Sequence, residues 1–78
     1  MQVLELPNAT LLYDGLVLEI FHPKSDRYLR AKLTISTQED RHGQIVATID
    51  NGVQQMTLAV PAERRGDFEA FIAGIAAG

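Results

Sequence analysis

Up to Val60 the apolar residues of this chain recur mostly at every second position, whereas Phe68, Phe71, Ile72 and Ile75 fall at i, i+3, i+4 and i+7. The first period belongs to half-buried strands and the second to one stripe of an amphipathic helix, so the chain must be mainly β with one helix at its end. Pro61 marks the change and is tolerated in a first helical turn, while Gly78 suits a position just past the last one. Gly66 and Gly74 each cost roughly 1 kcal/mol relative to alanine inside a helix, so packing against the strands has to hold this one.

Two hairpins can be located by their turns. Asp14-Gly15 and Asn51-Gly52 are dipeptides of the kind that supplies positive φ, and each is flanked by alternating apolar residues. With Asn51-Gly52 as the turn, Asp50 pairs with Val53, Thr48 with Gln55, Ala47 with Met56 and Ile45 with Leu58. Ile45, Ala47, Ile49, Met56, Leu58 and Val60 then share the core face, and Val46, Thr48, Val53, Gln55 and Thr57 take the other. With Asp14-Gly15 as the turn, Tyr13 pairs with Leu16, Leu11 with Leu18 and Ala9 with Ile20 on the core side. The opposite side carries Leu12, Val17 and Phe21, which is too apolar for a wet face. Something is expected to cover it: the first strand (roughly Gln2 to Leu6), the helix, or another subunit.

Between the hairpins the alternation predicts a strand with Leu29, Ala31, Leu33 and Ile35 inward and Tyr28, Arg30, Lys32, Thr34 and Ser36 outward. The segment Phe21 to Asp26, which contains Pro23, and the polar segment Thr37 to Gly43 read as surface loops. The expected fold is therefore an α+β arrangement of five to six strands, a bent antiparallel sheet or small open barrel closed by one C-terminal amphipathic helix. Seventy-eight residues suffice for one domain, 1–78, since so short a chain buries only about 60% of its unfolded surface.

Composition limits the function. The absence of cysteine removes disulfides, thiolate nucleophiles and cysteine-based metal sites, and is compatible with the cytoplasm. MQVLELPNATLL has neither the basic start nor the apolar run of a signal peptide, and no stretch reaches the roughly 20 apolar residues of a membrane span. The net charge of −3 argues against nucleic acid as a partner, and P-loop and dinucleotide-binding glycine motifs are missing. Neither sequence nor composition calls for a cofactor.

The pattern NATLLYDGLVLEIFH, then a strand with an arginine near its start, DRYLRAKLTI, then a hairpin and a closing FEAFIAGI helix, resembles the small bacterial pleckstrin-homology-like domains over nearly the whole chain. The resemblance implies a bent antiparallel sheet closed at one end by the C-terminal helix, and a binding or assembly role in place of catalysis. Some members form rings. In members that bind phosphoinositides, the basic residues lie on the first two strands and the loop between them. Here that turn is Asp14-Gly15 with Glu19 nearby, so the lipid motif does not carry over.

Four basic residues, Lys24, Arg27, Arg30 and Lys32, form the best candidate anion site, for a lipid headgroup or a phosphorylated partner. The competing reading makes Arg30 and Lys32 the solvated face of a strand, paired with neighbouring carboxylates and guarding an edge. His22, Ser25 and Asp26 have the letters of a catalytic triad but crowd into one short segment. Glu39, Asp40 and His42 read as a solvated loop, and Arg64-Arg65 as a solvated helix start offset by Glu63 and Asp67. Leu12, Val17, Phe21 and Tyr28 are the candidate interface. The leading expectation is a non-enzymatic module acting on a protein partner or on copies of itself, with anion binding as the alternative.

Overall fold

The computed structural model describes residues 1–77, the last of them by its backbone alone; Gly78, expected just past the helix end, lies outside the described residues. Among the described residues, seven strands form two antiparallel meanders. The four-stranded sheet runs β1 (Gln2–Leu6), β2 (Ala9–Tyr13), β3 (Val17–His22), β4 (Lys24–Leu29), and the three-stranded sheet β5 (Thr34–Glu39), β6 (Ile45–Asp50), β7 (Gln55–Val60). A 3-10 turn over Ala62–Arg64 leads into helix α1 (Arg65–Ala77).

The expected five to six strands become seven because the run expected as one strand, Tyr28 to Ser36, is broken by a 3-10 turn at Arg30–Lys32 into β4 and β5; Pro23, expected in a loop, is a bend between β3 and β4. His22 faces Lys24 across it, and β4 continues to Leu29 beside β3. Proline suits the bend, where no ladder hydrogen bond is required of its nitrogen.

Both expected hairpins exist, with their pairing moved by two residues. Tyr13 faces Leu18 and Leu11 faces Ile20; Ala47 faces Leu58 and Ile49 faces Met56. The cause lies in the turns. Asp14 Oδ1 accepts the amides of Leu16 and Val17, and Asn51 Oδ1 those of Val53 and Gln54, so each acidic or amide side chain flanks its turn. The central pairs are Gly15-Leu16 and Gly52-Val53, with φ of 103° and 89° at the glycines and no positive φ at Asp14 or Asn51. A shift of two keeps every side chain on its face. It does move Leu16, expected in the core, out into the turn.

The segment from Tyr28 to Ile35 departs further. Arg30–Lys32 is a 3-10 turn, and it changes the phase of the alternation. Leu33 and Ile35 face inward as expected, but in β4 the inward residue is Tyr28, which is wholly buried, while Leu29 is exposed and Ala31 with it. Tyr28 crosses to the other sheet, where its hydroxyl accepts a hydrogen bond from Gln54 Nε2 at 3.3 Å.

Between the sheets lies one core of Leu4, Leu11, Leu18, Ile20, Tyr28, Ile49, Leu58 and Val60, into which α1 inserts Phe68, Phe71 and Ile75. The helix fills the open side between edge strands β1 and β5. Arg64 Nη2 donates to the Glu5 carbonyl at 2.7 Å, Arg65 pairs with Glu39 at 2.8 Å, and Ile72 and Ile75 line one depression with Leu33 and Ile35. Gly74 lets α1 lie against the Gln2 side-chain amide, a space that a β-carbon would enter. Among the described residues no helix is long and apolar enough to cross a membrane.

Candidate functional site

The outer face of the four-stranded sheet follows from the register. One row across it is Val3, Leu12, Glu19 and Arg27; Val17 and Leu29 stand beside it on one side, and Glu5, Thr10, Phe21 and Ser25 on the other. Val3 is 56% exposed and Leu29 55%, while Leu12 and Val17 are half-buried among them. Met1, Leu12, Asp14, Val17, Glu19 and Arg27 line a shallow depression of about 220 Å³.

The two charges at the centre of this ground neutralise each other. Arg27 Nε lies 3.1 Å from Glu19 Oε2, and Ser25 Oγ donates to the same oxygen at 2.9 Å. The Ser25 hydroxyl first, and the Arg27 guanidinium second, hold the Glu19 carboxyl below its ordinary range. At the rim, the amides of Leu16 and then Val17 lower Asp14 in the same way. A surface of this kind can be covered by an apolar partner without leaving an unpaired charge at its centre.

Of the four expected interface residues, Leu12, Val17 and Phe21 do share this face. Tyr28 does not; the phase change at residues 30–32 sends it into the core. Val3 and Leu29 were missed. Pairing Gln2–Leu6 with Ala9–Tyr13 across Pro7-Asn8 brings Val3 opposite Leu12 and was a signal open to the sequence; for Leu29 no signal existed without knowing where the strand breaks.

The basic residues do not converge. Arg30 Nε and Nη2 donate to the Ile75 and Ala76 carbonyls, both at 3.1 Å, so this side chain caps the C-terminal end of α1, where its charge is favoured by the helix dipole. Arg27 is engaged by Glu19, Lys24 sits next to Pro23 with the parity opposite to Arg27, and Lys32 is exposed on the 3-10 turn. His22 and Asp26 share one side of the β3–β4 ladder, whereas Ser25 is on the other, bound to Glu19. Asp40 Oδ1 accepts the amides of His42 and Gln44 and shapes the β5–β6 turn, and Glu39 is held by Arg65.

Three of the five arginines thus attach the helix, a role that for Arg30 leaves little trace in the residue pattern. No family model, no curated protein and no solved structure matches this chain.

Proposed function

We propose that this chain is a non-enzymatic protein-interaction module of pleckstrin-homology-like fold that self-associates through the outer face of its four-stranded sheet. The observation that carries the reading is the cluster of Val3, Leu12, Val17 and Leu29, left open around an ion pair that is already neutral. Two antiparallel meanders followed by a helix that fills their open side support the fold assignment.

A second copy supplies an equal apolar surface and brings no excess charge to the centre. Four strands spaced about 4.8 Å apart, five to six residues long at about 3.4 Å each, present a face of roughly 300 Å². That is well below the roughly 800 Å² per partner of a standard interface, so the contact is weak and exchanges quickly. Static light scattering from tens to several hundred micromolar is the test. The mass should rise above the 8.6 kDa of one chain, and Leu12→Glu or Val17→Glu should lower it. A wild-type monomer across this range, or equal masses for wild type and both variants, refutes the proposal.

A further inference from the structure

The two sheets leave four edge strands, and three of them are guarded. The helix lies along β1, tied to the Glu5 carbonyl, β5 ends in Glu39, which Arg65 of the helix holds, and β4 carries Lys24, Asp26 and Arg27. The fourth edge is β7, Gln-Met-Thr-Leu-Ala-Val, with no charge and no proline in it. Such an edge lacks every device that keeps strands from pairing with another chain.

Its outward groups can be identified. Asn51 N–H donates to the Gln54 carbonyl at 3.1 Å, which makes 51 and 54 a hydrogen-bonded pair. Antiparallel alternation then turns Met56, Leu58 and Val60 toward β6, and aims the N–H and C=O of Gln55, Thr57 and Ala59 away from the sheet. Among the described residues no backbone or side-chain group bonds to them.

We infer that β7 pairs antiparallel with β7 of a second copy, about a two-fold axis at Thr57. The register is dictated by these groups. Outward residues must face outward residues, so Thr57 meets Thr57 of the second copy, and Gln55 meets Ala59 twice, which uses all six outward N–H and C=O groups on each side. The same register sets Met56 across from Leu58. Met56 is the only inner-face residue of β6 and β7 that is not fully buried, and this pairing covers it. Side chains keep their faces: Thr57 of one copy extends the Ser36, Thr48, Thr57 row of hydroxyls into the other.

This contact is separate from the sheet face, and the test keeps the two apart by working in the Leu12→Glu background. Sedimentation equilibrium up to several hundred micromolar should show that variant as a dimer, twice the 8.6 kDa chain, and adding Thr57→Lys or Thr57→Glu should leave a monomer, because like charges then face each other across the axis. An equimolar mixture of the Lys and Glu forms should recover the dimer, which loss of folding does not produce. A monomeric Leu12→Glu chain, or charged forms that dimerise as well alone as mixed, overturns the inference, while Leu12→Glu behaving as wild type overturns only the sheet-face reading.

Discussion

The outer faces of the two sheets are built on the same pleat and carry opposite chemistry. On the four-stranded sheet the exposed ground is Val3, Leu12, Val17, Leu29 and Phe21 around one ion pair; on the three-stranded sheet it is Ser36, Thr48 and Thr57, Thr34, Asp50 and Gln55, with Val46 and Ala59 at one end. Hydroxyls and amides satisfy themselves with water, so the second face is complete as it stands. The first is stable in isolation only at the cost of wetting four aliphatic side chains and one aromatic ring. Alternation alone decides which residues turn outward, and composition decides whether the outward side needs a partner.

The largest effects test the faces themselves. Tyr28→Ala, on the inner face of β4, should cost about 3–5 kcal/mol in urea unfolding, while Leu29→Ala next to it on the outer face should cost less than about 1 kcal/mol in dilute solution. Similar losses at both positions contradict the inward assignment of Tyr28.

Next comes the tie between the 3-10 turn and the end of the helix. Arg30→Ala removes two charge-assisted bonds to the last carbonyls of α1 and should destabilise by about 1–2 kcal/mol, against a change within about 0.5 kcal/mol for Lys32→Ala two residues on. Equal, small effects return Arg30 to the list of free surface cations and revive the anion site.

The helix offers a smaller contrast. Gly66 faces open space, so Gly66→Ala should stabilise by about 0.5–1 kcal/mol through helix propensity. At Gly74 the same substitution must displace the Gln2 amide, and its gain should fall short unless Gln2→Ala is made with it.

The smallest effect is acid dependence. Because the folded Glu19 carboxyl is held below its ordinary range, its ionised form contributes stability above that range, and this is lost as pH falls through the ordinary carboxylate range to the lowered folded value. Glu19→Gln should therefore flatten the acid limb of thermal melting temperature against pH. An unchanged limb removes Glu19 as a contributor.

What the sequence disclosed was parity, and what it hid was position. The period change near Pro61, the helix stripe of Phe68, Phe71, Ile72 and Ile75, and the core faces of β2, β3, β6 and β7 could all be read, because a pairing error of two residues leaves them intact. The error itself arose from giving Asp14 and Asn51 the turn centres when their side chains bind the turn amides from its flank. The three-residue 3-10 turn at Arg30–Lys32 was invisible, since Leu29, Ala31, Leu33 and Ile35 keep perfect alternation through it. That one turn accounts for the misplaced Tyr28, the missed Leu29 and the redirected Arg30. Leu12, Val17 and Phe21 were legible because their apolarity conflicts with the facing Leu11, Leu18 and Ile20, and both sides of a strand cannot belong to the same core.

The most direct measurement follows methyl resonances on dilution from several hundred to tens of micromolar. In a Thr57→Lys chain, where the edge pairing of β7 is blocked, the methyl shifts of Val3, Leu12, Val17 and Leu29 move with concentration if the four-stranded sheet is the contact face, and those of Val46 and Thr48, outward on the other sheet, stay fixed. Movement at Val46 and Thr48 with Leu12 and Val17 unchanged contradicts it.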